Sequence, residues 1–110
     1  MLPPSKELVA ASSRPLVLSI LAASENYGYA ILREVKRLSE GQLDWKEGML
    51  YPVLHRLERE GLIEARWRID SGRRRKYYRI TDQGKAALQT ERNAWEQMNL
   101  TLTKVWGGSS

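Results

Sequence analysis

The sequence predicts a mainly α fold with one small β-hairpin, a winged helix-turn-helix followed by a long C-terminal dimerisation helix. Two observations predict the order of elements. Apolar residues follow helical spacing up to residue 60, switch to alternation over two short runs, and return to helical spacing after Thr81. The alternating runs also hold the charge. Arg66, Arg68, Arg73, Arg74, Arg75, Lys76 and Arg79, with the single acid Asp70, give that stretch +6, whereas the other 11 basic and 12 acidic residues give the rest of the chain −1. A net charge of +5 confined to one segment points to a polyanion contact, against the plainer reading of a solvated, charged hairpin.

Residues 6–11 read as a short helix, which Pro15 should interrupt or restart, because proline suits a first helical turn and disturbs an interior. Leu16, Leu18, Ile20, Leu21 and Ala23 then form a core helix. Asn26 is positioned to cap the next helix, whose stripe is Tyr29, Ile31, Leu32, Val35 and Leu38, and Gly41 should end it. Residues 42–45 are expected to form one small strand. The third helix, from about Gly48 to Glu60, buries Leu50, Val53, Leu54 and Leu57 and stops at Gly61. Its opposite face holds Gly48, Met49, Pro52, His55 and Arg59, flanked by Tyr51 and Arg56.

The period then becomes two. Ile63, Ala65, Trp67 and Ile69 alternate with Glu64, Arg66 and Arg68, residues 70–73 make a turn, and residues 76–80 alternate again. Alternation assigns Trp67 and Tyr78 to the core and leaves Tyr77 open. Thr81 should cap a last helix running from Asp82 to about Val105. In it Leu88, Trp95 and Leu102 are seven apart, and Met98 and Val105 form a second row, with Glu91 as its polar start. This heptad seam is the expected dimer interface, since a chain of this size cannot cover so long a helix by itself. Trp95 is either an anchor of that interface or part of a ligand pocket, and packing alone favours the anchor.

The lengths imply one chain organised as residues 1–81, a DNA-binding unit with its N-terminal helix, residues 82–106, the dimerisation helix, and residues 107–110, a flexible tail. With no cysteine, one histidine (His55), three scattered aspartates and no phosphate-binding glycine motif, neither catalysis nor a metal or other cofactor is expected. The N-terminus lacks signal-peptide features and the longest apolar run, residues 16–23, is too short to span a bilayer, so the expected location is cytoplasmic.

A helix that follows this order of elements fits the major groove with its N-terminal residues at base edges. Gly48 permits close approach, Met49 and Pro52 offer apolar contacts, and Lys46, Tyr51, His55 and Arg56 reach phosphates; for His55, a plain surface role is equally open. The loop of Ser71, Gly72, Arg73, Arg74, Arg75 and Lys76 is expected to grip the flanking backbone, supplying affinity while the helix supplies sequence choice. The rival reading is a winged helix that docks an acidic protein partner.

Several segments resemble one family. Residues 26–29 (Asn-Tyr-Gly-Tyr), 48–58, 60–63 and 75–84 (Arg-Lys-Tyr-Tyr-Arg-Ile-Thr-Asp-Gln-Gly) are similar to the PadR transcriptional regulators, over about residues 16–88. The resemblance implies a bacterial-type repressor, homodimeric through its C-terminal and N-terminal helices, of the short type with one C-terminal helix. Tyr29, in the first of these segments, is also a DNA-contacting candidate. The resemblance also implies, from some small members, a tryptophan lining a flat pore between subunits that accepts aromatic or drug-like molecules. Trp95 falls at that place, with Leu8, Ala11 and Met98 lining the same space, which gives the pocket equal weight with the anchor. Glu47 and Met49 stand beside Gly48 where many members place Ser and Thr, so base preference does not carry over.

Overall fold

The computed structural model describes residues 5–107, in the order α1 (Lys6–Ala23), β1 (Asn26–Tyr27), α2 (Gly28–Leu38), α3 (Glu47–Arg59), β2 (Ile63–Asp70), β3 (Arg73–Ile80) and α4 (Asp82–Val105). The core is built from the buried stripes of α1, α2 and α3 (Val17, Leu18, Ile31, Val35, Leu50, Leu54, Leu57) closed by Ile63 and Tyr78 of the sheet. The buried face of α3 is the one its spacing predicts.

The first helix corrects one expectation. It is continuous through Pro15 rather than broken at it. Proline removes the N–H that would serve Ala11, a loss of about 3 kcal/mol in a helix interior. Here Ser13, Val17, Leu18 and Leu21 are buried on one side of the helix across the proline, and this packing outweighs local propensity. Ser12 and Ser13 donate their hydroxyls to the carbonyls of Val9 and Ala10, in the turn before the proline.

The small strand also lies elsewhere. Residues 42–45 are irregular: Leu43 donates its N–H to Ser39 Oγ (2.9 Å), and Trp45 turns into the core. The strand is β1, which pairs antiparallel with β3 (Asn26↔Tyr78, Tyr27↔Tyr77) and makes a three-stranded sheet of order β1-β3-β2. Asn26 is therefore not the cap of α2. Tyr27 occupies the cap position without a side-chain bond, and Asn26 Oδ1 accepts from the Tyr27 N–H.

The hairpin is longer than expected, because its turn is only Ser71-Gly72. Both residues have positive φ (52° and 78°), the geometry of a tight two-residue hairpin turn whose twist matches the strands. Arg73 through Lys76, expected in a loop, are thus strand residues, with register Asp70↔Arg73, Ile69↔Arg74, Arg68↔Arg75 and Trp67↔Lys76. Tyr78 is 1% exposed, as alternation predicts, but Trp67 on the same side is 56% exposed. The hairpin runs past the edge of the helical body, so its base is covered and its outer half is not. Tyr77, left open by the sequence, is buried edge-on against Tyr27, ring centroids 5.3 Å apart.

Gly61 lies just past α3 at φ +75°, a conformation that favours glycine, and ends the helix there as the sequence predicts. Thr81 caps α4, its Oγ1 accepting from Gly84 N–H (3.0 Å) and donating to the Gly61 carbonyl (2.7 Å). Arg14 of α1 ties the two helices together. Its guanidinium is 2.6 Å from Glu60, the C-cap of α3, and 2.6 Å from Glu91 of α4. Gly107 is in a turn, and the other tail residues, 108–110, lie outside the described residues, as do residues 1–4.

Candidate nucleic-acid interface

The start of α2, one side of α3 and the inner side of the hairpin enclose a cleft of about 740 Å³. Tyr29, Tyr51 and His55 form its helical wall, and Arg73, Arg74, Arg75 and Lys76 its strand wall. Two parts of the predicted site that are distant in sequence are therefore brought together. Gly28 makes the wall possible: a Cβ there would sit 2.3 Å from the Tyr51 hydroxyl oxygen. Burial pushes the Tyr78 phenol, at the cleft floor, up to about 12, with Tyr51 and Glu58 adding to the effect.

Other predicted residues lie nearby but outside the cleft. Pro52 and Arg56 are exposed on α3, and Met49 is half-buried against the core. Lys46 and Gly48 line a neighbouring hollow of about 560 Å³ at the start of α3, with Tyr29, Arg33 and Lys36. Nothing lies within 4 Å of a Cβ built on Gly48, so the backbone is open to close approach. Ser71 and Gly72 are exposed at the hairpin tip.

The basic residues divide into two sets. Glu25 holds Arg66 (3.1 Å) and Arg68 (3.3 Å), Asp70 holds Arg75 (3.1 Å), and Glu64 holds Arg79. The Tyr77 hydroxyl donates to Asp70 (2.6 Å), and that bond, with Arg75 beside it, holds the Asp70 carboxyl below its usual range. Among the described residues no carboxylate pairs with Arg73, Arg74 or Lys76. Arg74 instead stacks on the Trp67 ring (4.5 Å) and Lys76 sits over Tyr78 (5.6 Å). The cations left for a polyanion are thus fewer than composition suggests.

Sequence reasoning missed Tyr27, Arg33 and Trp67 in the cleft. Arg33 had a signal: it lies one helical turn from Tyr29 and its guanidinium sits 5.1 Å from that ring. Glu25 had none, being 41 residues from Arg66.

The expected dimer seam is mixed. Trp95, Met98, Leu102 and Val105 are exposed along α4, with Leu100 and Trp106 beside them. Leu88 is not part of that surface; it is buried in the chain's own core, because the first turns of α4 pack on α1 and the sheet. Of the expected pocket residues, Trp95 alone lines a hollow, of about 540 Å³, with Pro15, Leu16, Val35 and Leu38 of α1 and α2. Leu8, Ala11 and Met98 are exposed and do not line it. No group of metal-binding side chains occurs among the described residues, and no helix among them is long and apolar enough to cross a membrane.

Residues 17–90 match the model of the transcriptional regulator PadR-like family. A transcriptional regulator of Mycobacterium tuberculosis is 37% identical over 105 residues, covering 96% of this chain and 92% of that protein. Among solved structures, a transcriptional regulator from Clostridium thermocellum superposes with a TM-score of 0.84 at 28% identity, covering 92% of this chain and 96% of that one. A PadR-like transcriptional regulator from Bacillus cereus gives 0.83 at 29% identity, covering 92% and 97%.

Proposed function

The chain belongs to the PadR-like family of transcriptional regulators, and from that premise we propose that it is a repressor that binds a palindromic duplex operator as a homodimer. In this reading α3 enters the major groove and the hairpin is the wing beside it. The observation that carries the reading is the cleft between the exposed face of α3 and three cations, Arg73, Arg74 and Lys76, that have no carboxylate partner among the described residues. Phosphates of one backbone strand take the place of those partners. Pro52, exposed near the start of α3, faces the bases and sets the preferred sequence, with Met49 beside it offering only the part of its side chain that the core leaves uncovered.

A salt titration tests the reading. Neutralising at least three phosphates per chain, six per dimer, predicts a log–log slope of about −5 or steeper for duplex affinity against salt. No measurable binding to any duplex at low salt refutes the reading and favours an acidic protein partner.

Dimerisation is proposed through the exposed stripe of Trp95, Met98, Leu102 and Val105, large apolar side chains along one face of α4 that a second copy would cover. Trp95→Ala is expected to weaken the dimer by roughly 10- to 100-fold, read by light scattering across a dilution series. An unchanged dimer that has lost affinity for flat aromatic molecules would instead make Trp95 the wall of an effector pocket, through which a small aromatic or drug-like molecule releases the operator.

A further inference from the structure

We propose that Trp67 is a DNA-contacting residue of the wing, packing its indole on the deoxyriboses of the strand whose phosphates Arg74 and Lys76 hold. The proposal rests on the duplex-binding reading above and goes beyond it, because it gives the wing a contact that is not electrostatic.

Trp67 is 56% exposed, and Ile69, two residues nearer the tip on the same side of β2, is 81% exposed. A tryptophan that closes no core is a poor use of an apolar side chain unless something covers it. Trp67 lines the cleft opposite Tyr29 and His55, the wall that carries α3. The strand register puts Lys76 directly across from it and Arg74 across from Ile69. The Arg74 guanidinium lies 4.5 Å from the ring centroid. That stack fixes the plane of the guanidinium without using up its N–H edges, which stay free for a phosphate. Arg74 covers one face of the ring and Lys76 stands across the strand over Tyr78, so the other face of the indole is a flat apolar surface next to two phosphate ligands. A nucleic-acid backbone presents the same alternation, charged phosphates separated by apolar sugar faces.

The partition has a measurable signature. Burying the indole adds affinity without releasing counterions, so it leaves the salt slope alone, whereas Arg74 contributes to both. Duplex binding followed by fluorescence anisotropy over a salt series tests this with wild type, Trp67→Ala, Trp67→Phe and Arg74→Ala. Trp67→Ala is expected to lose about 10-fold in affinity at every salt concentration with an unchanged slope. Trp67→Phe should retain most of the affinity. Arg74→Ala should flatten the slope by about 0.9 per chain. An unchanged thermal midpoint of Trp67→Ala shows that the loss is not one of folding. Wild-type affinity in Trp67→Ala, or a slope lowered as in Arg74→Ala, overturns the proposal while leaving duplex binding standing. Failure of the wild type to bind duplex overturns both. If Trp67→Ala loses affinity for a single strand of the same length and none for duplex, the ring is a base-stacking platform and the duplex contact is wrong.

Discussion

Gly84→Ala is expected to destabilise the fold by about 3 kcal/mol or more, a large part of the roughly 5–15 kcal/mol available to a domain of this size. A Cβ at Gly84 would lie 2.0 Å from the Leu62 carbonyl oxygen and 2.7 Å from Ile80 Cγ1. The carbonyl cannot swing away cheaply, since it accepts the Thr81 N–H at 3.0 Å. Nor can the helix shift, because Gly84 N–H is itself the donor to the Thr81 cap. The gain in helix propensity, about 1 kcal/mol for alanine over glycine, is too small to offset the clash. Gly48→Ala is the control: it also lies within a helix, nothing is within 4 Å of its Cβ, and it should be neutral or stabilising by about 0.5–1 kcal/mol. Urea denaturation of the two variants gives the comparison, and equal midpoints would show that the α4–sheet junction is more pliable than its geometry implies.

That junction was partly legible in advance. Thr81 as a cap and the resumption of helical spacing after it located the start of α4, and four apolar residues at helical spacing fixed the buried face of α3. Both signals are local, with cause and effect within one or two turns. What the sequence hid is non-local. A two-residue strand has no period, so β1 could not be seen, and its partner is some 50 residues away. Alternation told which side of β2 carries Trp67 but not how far the helical body extends beneath it. Heptad spacing put Leu88 in one row with Trp95 and Leu102, yet only Leu88 reaches the core. The neutralising partner of Arg66 and Arg68 is Glu25, on the connection between α1 and α2, and no counting of residues identifies it. Charge was therefore easy to locate and hard to apportion.

The largest expected effect on function lies with the cations that have no carboxylate partner among the described residues. Arg73→Ala/Arg74→Ala/Lys76→Ala should reduce duplex affinity by about 100-fold or more at moderate salt, for specific and non-specific sequences alike, with the salt slope flattened by about 0.9 for each cation removed. Arg66→Ala/Arg68→Ala/Arg79→Ala removes the same formal charge, three per chain. A purely long-range attraction treats the two variants as equals. Contact geometry does not, because the three cations of the second set already face two carboxylates, Glu25 shared by Arg66 and Arg68 and Glu64 held by Arg79. Its removal should cost affinity less than about 10-fold, chiefly through the carboxylates it uncovers, and exposed ion pairs of this kind contribute only about 0–1 kcal/mol to stability. Arg75 is left in place in both variants, since its pairing with Asp70 and its position over the Tyr27 ring, 4.4 Å away, make it part of the hairpin's own structure. Parallel anisotropy titrations of the two variants on one duplex decide the matter. Equal losses would mean that the hairpin acts as a diffuse positive surface, and that pairing with Glu25 and Glu64 withholds nothing from DNA.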